Sequence, residues 1–98
     1  NCSVEDGVFR ASLQGRMDTI TAPELLKAWE AEKRTTPITA AEIDCSGLQY
    51  ISSAGLRVLL IMQKSGAKVR LTSVNDAVWE ILETTGFIDI FEVERLPV

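Results

Sequence analysis

Two adjacent serines, Ser52 and Ser53, are the side chains of this sequence best placed to carry a chemical modification. They follow a stretch typical of a buried strand and then a short polar loop, and a predicted helix begins at Ser53. A serine at a helix start caps free backbone N–H groups, and the same groups and the helix dipole favour negative charge. The pattern indicates either a helix cap at Ser53 or a serine that accepts a phosphate. Ser52 is then part of the loop, or a competing acceptor.

The sequence lacks histidine and several motifs on which many catalytic and metal sites depend. The chain has no histidine, which removes the commonest general base and the commonest metal ligand. Its two cysteines, Cys2 and Cys45, lack CxxC spacing, and neither a GxSxG elbow nor a GxxxxGK[ST] loop occurs. We therefore expect a binding module rather than an enzyme, with no metal and no cofactor.

Length, composition and charge indicate one small globular domain over residues 1–98. The sequence is 46% hydrophobic and 24% charged, with a formal net charge of −4. This charge gives no electrostatic footprint for nucleic acid and favours a protein partner with a basic rim. No signal peptide and no apolar run of about 18 residues is visible, so we expect a cytoplasmic protein. In that reducing compartment Cys45 should be a buried, reduced thiol.

Hydrophobic periodicity predicts an opening hairpin followed by alternating helices and strands. The hairpin pairs strands at 1–5 and 8–14 across the turn dipeptide Asp6-Gly7, and a loop is predicted from 15 to 20. A capping box at Thr21–Glu24 should start the first helix. The remaining predicted elements are the end of that helix near Arg34, a strand at 38–45, a helix at 53–65, a strand at 68–72, a helix capped by Asn75 that runs to Thr85, and an apolar segment at 87–93 that forms a short strand or a turn.

This order of elements predicts an α/β fold with a four-stranded mixed sheet and three to four helices. Right-handed βαβ units follow from the alternation, and the carboxyl ends of their parallel strands meet at one edge of the sheet. The loop with Arg16 and Asp18 should therefore lie beside the loop with Ser52 and Ser53. Asp18 either closes its own loop through an Asx turn or shapes the contact with a partner.

The second predicted helix should present part of an apolar surface to solvent. On its helical wheel, Arg57 points away from the core, and Leu60 and Ile61 flank it. An apolar patch beside the two serines is a candidate interface. Gly55 in the first turn costs up to about 1 kcal/mol relative to alanine, which suggests close approach of a backbone or a partner, or packing against the sheet. The residues on the core face are Gly55, Val58, Leu59 and Met62.

Three segments, in this order and spacing, resemble the STAS superfamily and, within it, the anti-sigma factor antagonists. Leu13–Asp18, followed by Ala22 and Leu25, is similar to the family's L-x-G-x-x-D loop and first helix. Asp44–Leu60 resembles the central signature, which ends in S-(S/A)-G-L followed by apolar residues. Ala77–Phe87 resembles the last well-matched helix of the family. The resemblance covers nearly the whole chain and implies a STAS-like fold.

In antagonists of this type the phosphorylated serine lies two residues before the glycine of S-(S/A)-G-L. That position is Ser53 here, and Ser52 stands where many members carry aspartate. The resemblance and the helical wheel together give the predicted partner-binding residues, namely Arg16, Asp18, Ser52, Ala54, Gly55, Arg57, Leu60 and Ile61.

The resemblance implies a partner-switching function in bacterial transcription. The unphosphorylated antagonist binds an anti-sigma factor that is also a serine kinase, which releases a sigma factor. The kinase uses ATP to phosphorylate Ser53, and a phosphatase resets the switch. The alternative is a STAS scaffold or accessory subunit of a lipid-transport ABC system without a phospho-switch, which would associate with an ATPase subunit instead of a kinase. Neither function implies direct nucleic-acid binding or a membrane span.

Overall fold

Five strands form one mixed sheet, and three helices connect the parallel strands. The computed structural model describes residues 2–96 of the chain. The elements in chain order are β1 (Cys2–Glu5), β2 (Val8–Met17), α1 (Ala22–Thr35), β3 (Ala40–Ile51), α2 (Ser53–Lys64), β4 (Lys68–Val74), α3 (Asp76–Thr85), a 3₁₀ turn (Phe87–Asp89) and β5 (Glu92–Arg95). The strands keep their chain order across the sheet, with β1 antiparallel to β2 and the others parallel.

The α/β class and the mixed sheet with three helices are confirmed, and β5 adds one strand to the expected four. The apolar segment at 87–93 divides into the 3₁₀ turn and the start of β5, which pairs with β4. Val93 is the half-buried residue of β5 and its three neighbours are exposed. A strand that buries so little lacks the alternation by which strands are recognised. Asn1, the predicted first residue of the opening strand, lies outside the described residues.

The opening hairpin forms as predicted. Both turn residues have left-handed backbone angles, with φ of 54° at Asp6 and 79° at Gly7. Two consecutive left-handed residues make the type I′ turn that matches the twist of antiparallel strands. Glu5 therefore lies opposite Val8, and Cys2 lies opposite Ala11.

All three helices cover the same face of the sheet. Each right-handed crossover from β2 to β5 moves the chain one strand further in the same direction, so the connecting helices share a side. Burial alternates along the central strands accordingly. The buried side chains of the covered face are Phe9 and Ala11 on β2, Ala41, Ile43 and Cys45 on β3, and Val69 and Leu71 on β4.

The opposite face of the sheet carries a row of ion pairs that reaches from β1 to β5. Arg10 pairs with Glu5 and Glu42, and Arg70 pairs with Glu42 and Glu94. Pairs as exposed as these contribute at most about 1 kcal/mol each to stability. Their main consequence is that the uncovered face is polar and its charges are matched.

The two central strands run further than predicted, and the loop expected from 15 to 20 is wrong in its first half. β2 continues to Met17 and β3 continues to Ile51, with Arg16 paired to Tyr50. The register shifts twice along this extension, between Ser12 and Gln14 and between Gly15 and Arg16. Polar and glycine residues interrupt the apolar alternation there, but the backbones still satisfy each other's hydrogen bonds.

The helix boundaries agree with the predicted ones to within about a turn. At the start of α3, Asn75 Oδ1 accepts a hydrogen bond from the N–H of Val78 at 3.0 Å, and Gly86 ends the helix with φ of 82°. Within residues 2–96, no helix is both long enough and apolar enough to cross a bilayer.

The two cysteines should differ sharply in reactivity. Cys45 is 1% exposed in β3, and burial raises the pKa of its thiol to about 12, so almost no thiolate forms at neutral pH. Cys2 is exposed and free. A neutral alkylating reagent should therefore label Cys2 in the native protein, and label Cys45 only after unfolding. Mass mapping checks this, and rapid native labelling of Cys45 would contradict the central position of β3.

Candidate phosphorylation and partner-binding site

The turn between β2 and α1 is closed by the side chain of Asp18. Its Oδ1 atom accepts hydrogen bonds from the backbone N–H groups of Ile20 at 3.0 Å and Thr21 at 3.1 Å. These bonds, that from Thr21 most strongly, lower the pKa of the Asp18 carboxyl, so the group is ionised at neutral pH. Asp18 therefore forms the Asx turn that was one of its two predicted roles.

The predicted capping box at Thr21–Glu24 is wrong, because the Asp18 turn uses the threonine hydroxyl instead. Thr21 Oγ1 accepts a hydrogen bond from Asp18 N–H at 2.9 Å and donates one to the Arg16 carbonyl at 2.9 Å. The backbone of Thr21 is also helical, with φ of −89° and ψ of −28°, whereas a capping residue is extended. Thr21 thus ties the turn to the end of β2.

The Asp18 turn lies directly beside the start of α2. Met17 pairs with Ile51 at the ends of β2 and β3, and Ser52 N–H donates a hydrogen bond to the Met17 carbonyl at 2.8 Å. Asp18 follows Met17 in the sequence, and Ser53 follows Ser52. The structure therefore brings the two predicted site loops together at one edge of the sheet.

Ser52, and not Ser53, caps α2. Ser52 has the extended backbone of a capping residue, with φ of −88° and ψ of 173°, and its Oγ accepts a hydrogen bond from Gly55 N–H at 3.4 Å. Its carbonyl accepts the first helical bond, from Leu56 N–H at 3.0 Å. The prediction of a cap at Ser53 is therefore wrong by one residue.

Ser53 is left as the first residue of the helix, with an exposed side chain. Among the side-chain hydrogen bonds of residues 2–96, none uses the Ser53 hydroxyl. A phosphate on this oxygen would lie at the positive end of the helix dipole without breaking the cap. Two adjacent serines thus have separate environments.

Gly55 brings α2 into close contact with the ends of β2 and β3. A Cβ atom built on Gly55 would lie 2.8 Å from Ile51 Cγ1, 2.9 Å from Met17 Cγ and 3.3 Å from the Met17 carbonyl oxygen. Gly55 is also buried, so it lies beneath the surface that a partner could touch. Of the two predicted reasons for a glycine here, packing against the sheet is the one that the contacts support.

The solvent face of α2 carries the other predicted contact residues. Arg57 is exposed and Ile61 is 41% exposed, while Ala54 and Leu60 are half-buried beside them. Arg57 forms no ion pair within residues 2–96. The expected apolar surface flanking a cation is therefore present on this helix, and its contact with a partner stays a prediction.

Two further exposed side chains lie near this edge of the sheet, although the sequence did not single them out. Because Met17 and Ile51 face α2, their strand neighbours Arg16 and Tyr50 point to the opposite face of the sheet. Ile20 is 76% exposed at the tip of the Asp18 turn. Tyr50 is 36% exposed at the end of β3, with the Arg16 guanidinium 4.4 Å from its ring centre. The sequence could have indicated an exposed apolar side chain at Ile20, because this residue lies inside a predicted loop. Tyr50 occupies the aromatic position of the central signature.

Metal ligands do not cluster in the part of the chain that the structure describes. Residues 2–96 contain no group of three or more His, Cys, Asp or Glu side chains placed to share an ion. The surface around Ser53 instead offers a hydroxyl, the Arg57 guanidinium and apolar side chains, which are suited to binding a protein.

The chain is similar to known proteins and solved structures, among them the following three. A relative in Bordetella bronchiseptica with the provisional name anti-sigma factor antagonist BtrV is 37% identical over 92 residues, which span 90% of this chain and 78% of the relative. The crystal structure of an anti-sigma factor antagonist from Mycobacterium paratuberculosis superposes with a TM-score of 0.80 at 27% identity, covering 96% of this chain and 82% of the other. The crystal structure of a sulfate transporter family protein from Wolinella succinogenes shares the fold. It superposes with a TM-score of 0.74 at 22% identity, covering 94% of this chain and 80% of the other.

The family model for the STAS domain matches residues 2–96, which is almost the entire chain. The resemblance of the sequence to anti-sigma factor antagonists is confirmed by these relatives. This chain belongs to the STAS domain family.

Proposed function

We propose that this protein is an anti-sigma factor antagonist whose partner binding is switched by phosphorylation of Ser53. In its unphosphorylated form it binds an anti-sigma factor that is also a serine kinase, and so releases a sigma factor. The relative from Bordetella bronchiseptica and the structure from Mycobacterium paratuberculosis support the antagonist function by their names. The partner is a protein, and the chain acts by binding rather than by catalysis.

The observation that carries this proposal is the exposed, unengaged hydroxyl of Ser53 beside a serine that already caps the helix. A kinase can reach an exposed hydroxyl without unfolding the domain. Because Ser52 keeps the cap, phosphorylation of Ser53 can change the surface charge while the helix stays intact.

The switch is electrostatic. A phosphoserine adds about −1.5 to −2 charge units at neutral pH. Covering an unpaired charge with a partner costs several kcal/mol, and each 1.4 kcal/mol is a factor of ten in affinity. A phosphate on Ser53 would therefore release the partner, and a phosphatase would restore binding. We propose the cytoplasm as the compartment, because the kinase draws on ATP.

Incubation with the cognate kinase and ATP should label Ser53 alone. Its hydroxyl is exposed, whereas that of Ser52 accepts the capping bond from Gly55 N–H. Phosphopeptide mapping distinguishes the two serines. The Ser52→Ala variant, which keeps the acceptor, should still be labelled, and the Ser53→Ala variant should not. Label on Ser52 in the wild-type protein would overturn the assignment.

The alternative, a scaffold subunit of a lipid-transport ABC system, is not favoured by these relatives. The likeness to a sulfate transporter family protein is at 22% identity and concerns the fold. Purification of the protein with its native partner discriminates the two functions. An ATPase subunit in the complex, with no kinase, would favour the scaffold.

A further inference from the structure

Charge is distributed unevenly over the helices. α2 carries Arg57 and Lys64 and no acidic residue, whereas α3 carries Asp76, Glu80 and Glu83 and no basic residue. The basic charges of α2 form no ion pairs within residues 2–96, in contrast to the matched charges on the uncovered face of the sheet. In a chain with net charge −4, α2 therefore contributes a local positive surface.

A groove of about 380 Å³ lies between α1 and α2, at the end of α1. Its apolar lining is Trp29, which is only 2% exposed, and Ile61, which is 41% exposed and gives the groove its accessible apolar side chain. The Lys33 ammonium lies 5.8 Å from the Trp29 ring centre, so it stands over the apolar part of the groove. The lining residues are Trp29, Glu30, Lys33, Arg34, Ile61 and Ser65.

The groove is continuous with the Ser53 site. Ser53, Arg57 and Ile61 are spaced four residues apart on α2, so they form one stripe along the helix. Eight residues of helix span about 12 Å. A partner segment that contacts Ser53 and runs along this stripe therefore enters the groove, where Lys33 and Arg34 face it from α1.

We propose that this groove binds an acidic segment of the anti-sigma factor that packs an apolar side chain against Ile61. The inference rests on the proposed function and names the chemistry of the partner. Lys33 and Arg34 outnumber the acidic Glu30 in the groove, and Arg57 extends the positive charge towards Ser53. The net charge of the chain predicts a basic partner, but the local charges along α2 favour an acidic one.

This partner chemistry also explains the direction of the switch. A phosphate on Ser53 adds negative charge at one end of the stripe, next to Arg57. It repels an acidic segment and lowers the positive charge that attracts it. The same modification would strengthen the binding of a basic segment. An acidic segment is therefore the one that phosphorylation of Ser53 releases.

The test compares Lys33→Glu with Lys27→Glu. Both substitutions reverse one exposed charge on α1, and Lys27 lies outside the groove. The probe is the purified anti-sigma factor kinase, identified by its labelling of Ser53. We expect Lys33→Glu to weaken its binding about tenfold and to reduce its salt dependence, and Lys27→Glu to change the affinity less than about twofold. Circular dichroism checks that both variants are folded.

An Ile61→Ser variant tests the apolar anchor separately, and it should also weaken binding about tenfold. Unchanged affinity in both Lys33→Glu and Ile61→Ser would show that the partner does not enter the groove. Tighter binding by Lys33→Glu would show that the segment is basic. In either case the proposed function survives if Ser53→Asp still weakens binding, and it fails if no kinase labels Ser53.

Discussion

Replacement of Ser53 by aspartate should weaken binding of the anti-sigma factor by about tenfold or more and leave the free energy of unfolding nearly unchanged. The aspartate brings about one negative charge into the proposed contact surface, where it faces an acidic partner. The helix keeps its cap, because Ser52 and not Ser53 accepts the bond from Gly55 N–H. An acidic residue in the first turn also suits the helix dipole. True phosphorylation, with nearly twice the charge, should have the larger effect.

The matched controls separate capping from charge. Ser53→Ala should bind as tightly as the wild type and cannot be switched off. Ser52→Ala should lose about 1 kcal/mol of stability with the cap, but it keeps the Ser53 acceptor, so phosphorylation should still weaken its binding. Thermal unfolding and partner titration on the three variants give both quantities. If Ser53→Asp binds as tightly as Ser53→Ala, the phosphate cannot act through this surface, and the scaffold function becomes the better explanation.

Features that depend on local chemistry could be predicted from the sequence. The dipeptide Asp6-Gly7 accepts two left-handed residues at little cost, so it specifies the hairpin. Asn75 and Gly86 mark the two ends of α3, since one side chain satisfies an N–H group and the other residue tolerates a positive φ. The alternation of apolar residues on β2 and β4 then fixes which face is buried.

Features that depend on contact with a distant part of the backbone could not be predicted from the sequence. The last residues of β2 and β3 are strands because Arg16 pairs with Tyr50 and Met17 with Ile51, and no local pattern records such pairing. The cap of α2 falls on Ser52 for the same reason. The bond from Ser52 N–H to the Met17 carbonyl holds the Ser52 backbone extended, so Ser52 is the cap and the helix begins at Ser53. Either serine is chemically suitable as a cap, and only the tertiary contact selects one.

Replacement of Gly55 by alanine should destabilise the domain by about 1–3 kcal/mol. The new methyl group would lie within 3 Å of side-chain atoms of both Ile51 and Met17, and 3.3 Å from the Met17 carbonyl oxygen. Neither side-chain atom is at a flexible end, so α2 must move away from the sheet. That movement would strain the bond from Ser52 N–H to the Met17 carbonyl. Partner binding should therefore weaken together with stability.

Denaturant unfolding, with partner titration on the folded fraction, measures both effects of Gly55→Ala. Ser53→Ala is the control, because it lies in the same helical turn and its side chain is exposed. In an open helix position, alanine is more favourable than glycine by about 1 kcal/mol. At Gly55 the steric cost must exceed this gain for the variant to be less stable than the wild type. An increase in stability would mean that the added methyl group fits between α2 and the sheet. Gly55 would then not set the distance between the Ser53 surface and the sheet.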